Sequence, residues 1–356
     1  LNFIAMMDFA EWSLSVQTQI IYLTIFISIP SMALNIAEIV TIVRHKKFNN
    51  SFYALFVMRA IPDWFGVFVS LCCNWLPCIF SAVLYPIYSK FPNWFLAMFY
   101  FLAGYTFQAN FFATAFILLN RLTAIITPIK HEKLWKKFLP FITIFVFLVP
   151  IFFNWMAFKM NAILMLKAPN STTERSFFIF EAGDAPINHS LIRIDSIFSS
   201  IFLILCVFLN ICIFVAYKQH LKKVRRNGNN NGDEIEKKLL VYAMATFLGH
   251  AFVATQFVIT DIWLVNDTKT RFMLGSYYPL IMDTGTVVLS SWLLLWASGI
   301  FRKQLIKDFS IIRKTNIQNI RIGPMEGPQN NNHRAVGGGA YHPYISSVQQ
   351  LPTIST

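Results

Sequence analysis

Long apolar stretches alternate along this chain with short polar segments, and seven of the stretches are long enough to cross a bilayer. A helix needs about 20 residues to cross roughly 30 Å of hydrocarbon. The predicted spans are Ile20 to Val43, Ser51 to Phe80, Trp94 to Leu119, Phe138 to Phe158, Ile194 to Tyr217, Leu239 to Trp263 and Ser276 to Ile300. The pattern therefore predicts an all-α membrane protein built as a seven-transmembrane-helix bundle.

The second apolar stretch is too long for one straight span. Proline lacks the backbone N–H that continues a helix. We therefore predict that this span ends near Trp75 and that Pro77 begins a loop, which leaves the residues up to Phe80 outside the bilayer.

The basic residues set the predicted orientation of the spans. The chain carries a net charge of +13, but only 13% of its residues are charged and 56% are apolar. Its Lys and Arg lie in short clusters between apolar stretches and not on one face of a soluble domain, so the partner is the lipid bilayer and no nucleic-acid partner is expected. Most of these clusters fall in one alternate set of loops, and cytoplasmic loops are the ones rich in Lys and Arg. The N-terminus is therefore predicted to lie outside.

Sequons for N-glycosylation support the same orientation. Asn170, Asn188 and Asn266 each begin an Asn-x-Ser/Thr sequence in a predicted outer loop, where glycosylation takes place. A fourth sequon, at Asn49, falls in a predicted inner loop. We predict glycosylation at the three outer positions.

The predicted organisation has four parts. Residues 1–19 form an extracellular N-terminal segment, 20–300 the seven-transmembrane domain, 301–313 an amphipathic juxtamembrane helix and 314–356 a disordered cytoplasmic tail. In the juxtamembrane segment, Phe301, Leu305, Ile306 and Phe309 recur at helical spacing opposite basic residues, as in helices that lie on an anionic leaflet. The tail is rich in Asn, Gly, Pro and Ser, a composition typical of disorder.

Several other classes are disfavoured by features of the sequence. A retinal protein needs a Lys in the seventh span, and Ser276 to Ile300 has none. A secondary transporter usually contains paired repeats with broken helices, and the sequence has no internal repeat. A seven-span channel of the insect odorant-receptor type places its N-terminus inside, against the charge pattern. The sequence also lacks a Gly-rich phosphate loop, metal-ligand spacing and a nucleophile elbow, so neither an enzyme nor a cofactor is expected.

Three stretches resemble the nematode serpentine chemoreceptors of the Srg superfamily. They are LNRLTAIITPIKHEKLWKKFLP (119–140), IPSMALNIAEIVTIVRHKKFNNSFYALFVMRAIPD (29–63) and PLIMDTGTVVLSSWLLLWASGIFRKQL (279–305). The resemblance covers the chain from about Ile20 to Leu305 and favours the gamma class, Srg, with the Srv class second. It implies a G-protein-coupled receptor that binds a small environmental or pheromone-like compound and activates a cytoplasmic heterotrimeric G protein. It also implies the plasma membrane, or the ciliary membrane of a sensory neuron; a seven-span ligand-gated or constitutive ion channel is the alternative.

Asn120 and Arg121 stand at the predicted inner end of the third span, where rhodopsin-like receptors carry an acid, an Arg and an aromatic residue. By this resemblance the pair is a candidate G-protein switch. An Arg at the inner end of a span also serves as a positive anchor, so both roles stay open. Asn120 replaces the acid, which excludes the usual ionic latch, although its amide oxygen can accept a hydrogen bond from a guanidinium.

Other features of rhodopsin-like receptors are also missing from the sequence. The sixth span has no Pro and the seventh lacks an Asn-Pro-x-x-Tyr ending. The loop from Lys159 to Ser190 contains no Cys, so the usual disulfide to the third span is absent. The activation mechanism therefore does not follow from the resemblance.

Four ionisable residues lie inside predicted spans and form a candidate polar core. Arg59 and Asp63 are four residues apart on the second span, so they share a helical face and can pair. Glu38 of the first span is a further candidate partner for Arg59, and Asp283 lies in the seventh span. Ionisable groups inside a membrane are costly. Either they pin the helices together, or they form a polar core that rearranges on activation.

The outer halves of the third, fifth, sixth and seventh spans are expected to line a ligand pocket. Its candidate polar residues are Tyr105, Gln108, Gln256, Asp261, Tyr278 and Asp283. Few polar groups among many Phe suit a small, mostly apolar or amphiphilic compound. Phe is also common lipid-facing bulk in such spans, so the sequence does not name the ligand.

Overall fold

The computed structural model describes residues 16–166, 176–183, 186–226, 233–263 and 277–320. The chain divides into two units, 1–310 and 311–356, and in the second only residues 311–320 are described. Seven helices long and apolar enough to cross a membrane cover Thr18–Arg44, Ser51–Ile79, Asn93–Ile126, Pro128–Lys159, Pro186–Lys222, Met244–Ile262 and Tyr277–Ala297. The prediction of an all-α bundle with seven spans is confirmed. The predicted segments 1–19 and 314–356 fall mostly outside the described residues.

The spans are built from long helices with short irregular turns. The α-helices are Gln17–Arg44, Ser51–Ser70, Leu76–Ile79, Ser81–Tyr88, Asn93–Ile126, Pro128–Asn154, Pro186–Arg226, Asp233–Trp263, Leu289–Ala297 and Gly299–Ile320, with residues 277–283 also helical. Two 3₁₀ turns, Lys46–Phe48 and Trp155–Lys159, and two π turns, Leu71–Trp75 and Thr284–Val288, complete them. The third span is central, because it contacts the second, fourth, fifth and sixth. Large apolar side chains such as Phe152 and Ile204 are exposed on the outer surface, as lipid contact requires.

The second span continues past Pro77, so the prediction that it ends near Trp75 is wrong. The π turn Leu71–Trp75 precedes the proline, and a π turn moves each hydrogen bond to the fifth following residue. In that register the carbonyl of Cys72 would pair with Pro77, which has no N–H. The hydroxyl of Tyr88 donates to this carbonyl at 2.9 Å instead. The second span tolerates Pro77 because the side chain of Tyr88, from the short helix Ser81–Tyr88, satisfies the freed carbonyl of Cys72.

The second outer loop forms a β-hairpin that the sequence analysis did not predict. Strand β1 (Ala162–Leu166) pairs antiparallel with β2 (Phe177–Glu181). The side chain of Asn93, at the top of the third span, bonds to the backbone at positions 160 and 162, and the hydroxyl of Tyr100 donates to the carbonyl of Ile179 at 2.7 Å. All five cysteines are free. Hydrogen bonds thus hold this loop where rhodopsin-like receptors use a disulfide.

The juxtamembrane helix Gly299–Ile320 includes the predicted segment and continues past its expected end, into the part predicted to be disordered. The four apolar residues predicted to contact the membrane divide into two pairs. Phe301 and Leu305 are buried against the bundle, whereas Ile306 and Phe309 are exposed. The helix is therefore docked on the bundle along one side and leaves a second apolar strip for the leaflet.

Candidate functional site

A cavity of about 310 Å³ lies among the outer halves of the spans, with β2 forming part of its wall. Its volume is at the lower end of the range for ligand pockets, about 300 to 1,000 Å³. The described lining is mostly apolar. Its polar side chains come from Ser70, Asn74, Tyr100, Thr106, Asn154, Ser176, Asn188, Asp195, Gln256, Thr260 and Tyr278.

Three of the six predicted ligand residues lie at this cavity. Gln256 and Tyr278 line it. Gln108 is fully buried behind the wall, where its Nε2 donates to Oδ1 of the lining residue Asp195 at 2.8 Å. The prediction thus located part of the wall and one residue that positions it.

The other three predicted ligand residues are not part of the lining. Tyr105 stacks on Phe101 with their ring centroids 5.8 Å apart. Asp261 is partly exposed near the outer end of the sixth span. Asp283 accepts a hydrogen bond from the lining residue Ser70 at 3.3 Å but does not itself reach the cavity. Depth along a span was predictable from the sequence, whereas the face of the helix that meets the cavity was not.

Asp195 is the carboxylate in the described lining, and it is not among the residues predicted from the sequence. The signal was present, because an acid inside an apolar span was the argument used for Asp63. The predicted fifth span began at Ile194, which placed Asp195 at the interface, where a charge costs little. In the structure the helix begins at Pro186, so Asp195 lies more than two turns inside it.

The buried position of Asn188 argues against the glycosylation predicted there. Asn188 lies in the first turn of the fifth-span helix, is 6% exposed and lines the cavity. Its backbone N–H donates to a carboxylate oxygen of Glu181 at 2.6 Å, which fixes it beside β2. A buried side chain that faces a cavity leaves no room for a glycan. Asn170 and Asn266 lie outside the described residues and stay predictions.

The predicted ion pair of the second span is present in the bundle interior. Arg59 Nε lies 3.7 Å from Asp63 Oδ2, and both side chains are almost fully buried. Arg59 also donates from Nη2 to the carbonyl of Thr286 at 3.0 Å. Thr286 belongs to the π turn Thr284–Val288, and such turns release carbonyls from regular α-helical bonding. Arg59 therefore links the second span to an irregular turn of the seventh.

Ser70 and Asp283 make a second link between these two spans. The hydroxyl of Ser70 donates to Asp283 Oδ1 at 3.3 Å. Each residue immediately precedes a π turn, so the bond joins the points at which both helices lose regular geometry. Glu38 is fully buried but lies beyond ion-pair distance of Arg59, so the further partner predicted for that Arg is wrong.

A buried histidine connects the third and sixth spans. His250 Nδ1 lies 2.8 Å from the carbonyl of Thr246, and its Nε2 lies 3.0 Å from the hydroxyl of Thr114. Because Nδ1 faces a carbonyl it carries the proton, and Nε2 accepts from Thr114. Next to it Gly249 touches the backbone of the seventh span, since a Cβ there would lie 2.5 Å from the carbonyl oxygen of Gly285. The sixth span cannot move without disturbing these contacts.

Asn120 closes the inner end of the bundle through Ser51. Its Nδ2 donates to the hydroxyl oxygen of Ser51 at 2.9 Å, and that hydroxyl donates to Glu132 at 2.9 Å. Glu132 also accepts the backbone N–H of Ser51 at 3.0 Å, which caps the helix of the second span. We call Asn120, Ser51 and Glu132 the inner latch. It joins the third span, the second span and the start of the fourth-span helix.

Arg121 lies over the ring of Phe52, with its guanidinium carbon 3.6 Å from the ring centroid. Phe52 in turn packs against Tyr242 of the sixth span, with centroids 5.9 Å apart. Arg121 Nε is buried and has no hydrogen-bond partner in the part of the chain that the structure describes. An interfacial anchor extends toward the headgroups, whereas this guanidinium is turned to a buried ring. A cation–π contact therefore takes the place of the missing acid.

Sequence comparisons identify the family. A family model described as Srg family chemoreceptor matches residues 19–305. The chain belongs to the Srg family. Among curated relatives from Caenorhabditis elegans, it is similar to serpentine receptor class gamma-16, at 32% identity over 126 residues, and to class gamma-10, at 30% over 132 residues.

The match to these two relatives is partial. Each alignment covers 34% of this chain and 38% or 39% of the relative, so the chain matches about two-fifths of the relatives' length. The predicted membership of the Srg family, with the gamma class favoured, is confirmed. This Srg-family chain is a multi-pass membrane protein.

Proposed function

We propose that this Srg-family chemoreceptor binds a small environmental or pheromone-like compound in its outer cavity and activates a heterotrimeric G protein at its inner face. The observation that carries the proposal is that the second span takes part in the cavity, the polar core and the inner latch. Ser70 lines the cavity, Arg59 and Asp63 form the core pair, and Ser51 belongs to the latch. Ser70 and Ser51 are about 28 Å apart at 1.5 Å per residue. One helix thus connects both faces.

The outer end supplies the ligand site. A compound that enters the cavity contacts Ser70 on the second span and Met282 on the seventh. Both positions adjoin the bond between Ser70 and Asp283. Ser70 and Asp283 each immediately precede a π turn. A small displacement there is therefore absorbed by backbone that is already irregular. The ligand therefore acts on the register between the second and seventh spans.

The core passes this displacement inward. Arg59 holds the carbonyl of Thr286 in the seventh span and pairs with Asp63 in its own span. A shift of the π turn Thr284–Val288 moves that carbonyl and pulls on Arg59. The second span then moves as a rigid helix, and its inner end at Ser51 changes position against Asn120.

The inner latch decides whether a G protein can bind. With Asn120, Ser51 and Glu132 joined, the second, third and fourth spans are held together and Arg121 rests on Phe52. Breaking the latch frees Arg121 to leave the ring for an acceptor on the G protein.

The proposed site of action, from the family, is the plasma membrane or the ciliary membrane of a sensory neuron.

A compound screen with two parallel readouts tests this proposal. Cells that express the full chain are measured for G-protein dissociation by energy transfer and for membrane current. An activating compound should cause dissociation, and its cellular response should vanish when the G proteins are removed. A current that persists without G proteins would favour the ion-channel alternative and overturn the proposal.

The Ser70→Ala variant tests the transmission step with the activating compound. Loss of the bond to Asp283 should lower the maximal G-protein response severalfold even at a concentration of compound that saturates the cavity. Ser200→Ala is the matched control, because the Ser200 hydroxyl donates within its own helix, to the carbonyl of Ser196. Equal responses from the two variants would contradict the proposed route.

A further inference from the structure

Asp195 is a buried carboxylate in the cavity wall, and no cation in the described part of the chain balances its charge. Its side chain lines the cavity although the residue is 6% exposed. Gln108 donates one amide hydrogen bond to its Oδ1. Among the residues that the structure describes, no Lys, Arg or His lies within ion-pair distance of it, and no Lys or Arg lines the cavity. An anion removed from water with one neutral donor is poorly compensated.

Gln108 places a second acceptor beside this carboxylate. Its Oε1 is buried and has no hydrogen-bond partner in the described part of the chain. The two amide atoms of Gln108 share one carbon, so Oε1 lies next to the Nε2 that binds Asp195. The amide cannot be reversed, because its oxygen would then face the carboxylate oxygen. This corner of the site therefore holds a buried acceptor that no donor in the described part of the chain satisfies.

Aromatic rings complete the same region of the lining. Phe257 and Tyr278 both line the cavity and pack edge to face, with centroids 5.5 Å apart. Aromatic rings attract ammonium groups through their quadrupole, most strongly where water is excluded. The remaining lining is mostly apolar and suits a hydrocarbon body.

We propose that the cavity selects a small monoamine, whose protonated amino group pairs with Asp195 and whose apolar body fills the rest of the pocket. This inference rests on the proposed ligand site and narrows its chemical class. An ammonium group supplies both a positive charge and hydrogen-bond donors, since it balances the buried negative charge and donates several hydrogen bonds. A hydroxyl supplies a donor without the charge, and a carboxylate adds a second negative charge beside the first.

Binding is measured on the purified chain without a G protein, so that failure of the amine inference can be distinguished from failure of the proposed coupling. The full chain is purified into lipid nanodiscs and its thermal stability is followed with hexylamine and 2-phenylethylamine. Each amine is compared with its alcohol and its carboxylate of the same body. Amines should raise the melting temperature and bind at least about tenfold more tightly than the alcohols, and the carboxylates should not bind.

Two acid-to-amide variants assign the effect to Asp195. Asp195→Asn retains an oxygen that accepts from Gln108 but removes the charge, so the fold should survive while amine affinity falls at least about tenfold. Asp261→Asn is the matched control, because this outer acid of the sixth span is not part of the cavity lining. Amine binding should be unchanged in it.

The possible results distinguish the amine inference from the proposed coupling. Tighter binding of alcohols or carboxylates, amine binding that Asp195→Asn does not weaken, or no binding by either amine would overturn the amine inference. Amine binding that depends on Asp195 but never leads to G-protein dissociation would uphold the inference and count against the proposed coupling. G-protein activation by a neutral compound in the same cavity would uphold the proposed coupling and count against the amine inference.

Discussion

The two ends of the third span hold their neighbours in different ways. At the outer end Gln108 bonds Asp195 beside a cavity of about 310 Å³. At the inner end Asn120 is bonded through Ser51 to Glu132. The outer contact leaves the buried Gln108 Oε1 without a partner beside open space, whereas the inner contacts join three helices and leave Asn120 Oδ1 without one among the described residues.

This difference assigns roles to the two ends. A site with spare acceptors and volume gains free energy when a ligand supplies the missing groups. The hydrogen bonds that join three helices at the inner end must be broken before those helices separate, and breaking them without replacement costs free energy. Under the proposed function, the outer end therefore binds the ligand and the inner end restrains the helices. The pair of Arg59 and Asp63 lies between the ends and serves both.

The largest expected effect comes from breaking that central pair. Asp63→Ala leaves Arg59 buried without a carboxylate, and breaking a buried ion pair costs about 3 to 5 kcal/mol, which is a large share of a membrane domain's stability. We expect most of the variant to be retained inside the cell. Flow cytometry of an epitope-tagged chain measures surface expression.

A double variant separates the structural from the functional reading of the core. Arg59→Met with Asp63→Leu replaces the pair by apolar groups and should restore surface expression. If signalling stays low at restored expression, the core takes part in activation; normal signalling would reduce it to helix packing. Asp261→Ala is the control for loss of an acid, and wild-type expression of Asp63→Ala itself would contradict the expected penalty.

The sequence predicted the spans well because a bilayer imposes a local rule. A span must be predominantly apolar over about 20 residues, and most of its backbone groups are satisfied within its own helix, so length and hydropathy are sufficient to locate it. The pair of Arg59 and Asp63 was predictable for the same reason, since four residues along a helix fix their proximity.

The contacts that define the candidate site depend on distant parts of the chain. Glu132 reaches Ser51 across 81 positions in sequence, and the carbonyl of Thr286 that Arg59 binds is a backbone atom with no sequence signature. The β-hairpin was missed because its two short apolar runs read equally well as loop. Asp195 was missed because the fifth helix starts earlier than hydropathy indicated. Boundary errors of a few residues thus had little effect on the fold and a large effect on the site.

An intermediate effect is expected at the inner end, from Arg121. Arg121→Ala should leave membrane insertion intact, because the Lys cluster of the same loop still marks it as cytoplasmic. Ligand-evoked G-protein dissociation should fall at least about tenfold at matched surface expression, since the cation that exchanges partners is gone. Arg121→Lys should not restore it, because the planar guanidinium with several fixed donors is lost.

Phe52→Leu sharpens the same test from the resting side. It keeps an apolar side chain but removes the ring that holds Arg121, a contact worth about 1 kcal/mol. Basal G-protein activity should therefore rise severalfold without ligand. Full signalling by Arg121→Lys, or unchanged basal activity in Phe52→Leu, would mean that Arg121 is an anchor for topology.

The smallest expected effect lies outside the spans, where the juxtamembrane helix meets the first inner loop. His45 Nε2 lies 2.9 Å from Asp308 Oδ2, and Gln304 donates to Asp308 Oδ1 at 2.8 Å. Burial alone would raise the pKa of the Asp308 carboxyl, but the hydrogen bonds from Gln304 and His45 and the charges of His45 and Arg44 lower it overall. A lowered pKa means that the ionised carboxylate stabilises the folded state above the unfolded value of about 3.9, and that this contribution is lost as the pH falls through the folded value.

Docking of the helix should therefore persist on mild acidification. Protection of residues 301–310 against hydrogen exchange in nanodiscs, relative to the intrinsic rate at each pH, should be the same at about pH 7 and about pH 5, because the Asp308 carboxylate stays ionised throughout that range. Asp308→Asn should lower the local stability of this helix by at most about 1 kcal/mol, since the contact lies near the surface. Exchange should therefore increase slightly. Lys303→Gln is the control for a charge change on the exposed side of the helix. Protection that falls between pH 7 and 5 in the wild type but not in Asp308→Asn would contradict the lowered pKa of Asp308, because the carboxylate would then lose its charge within that range.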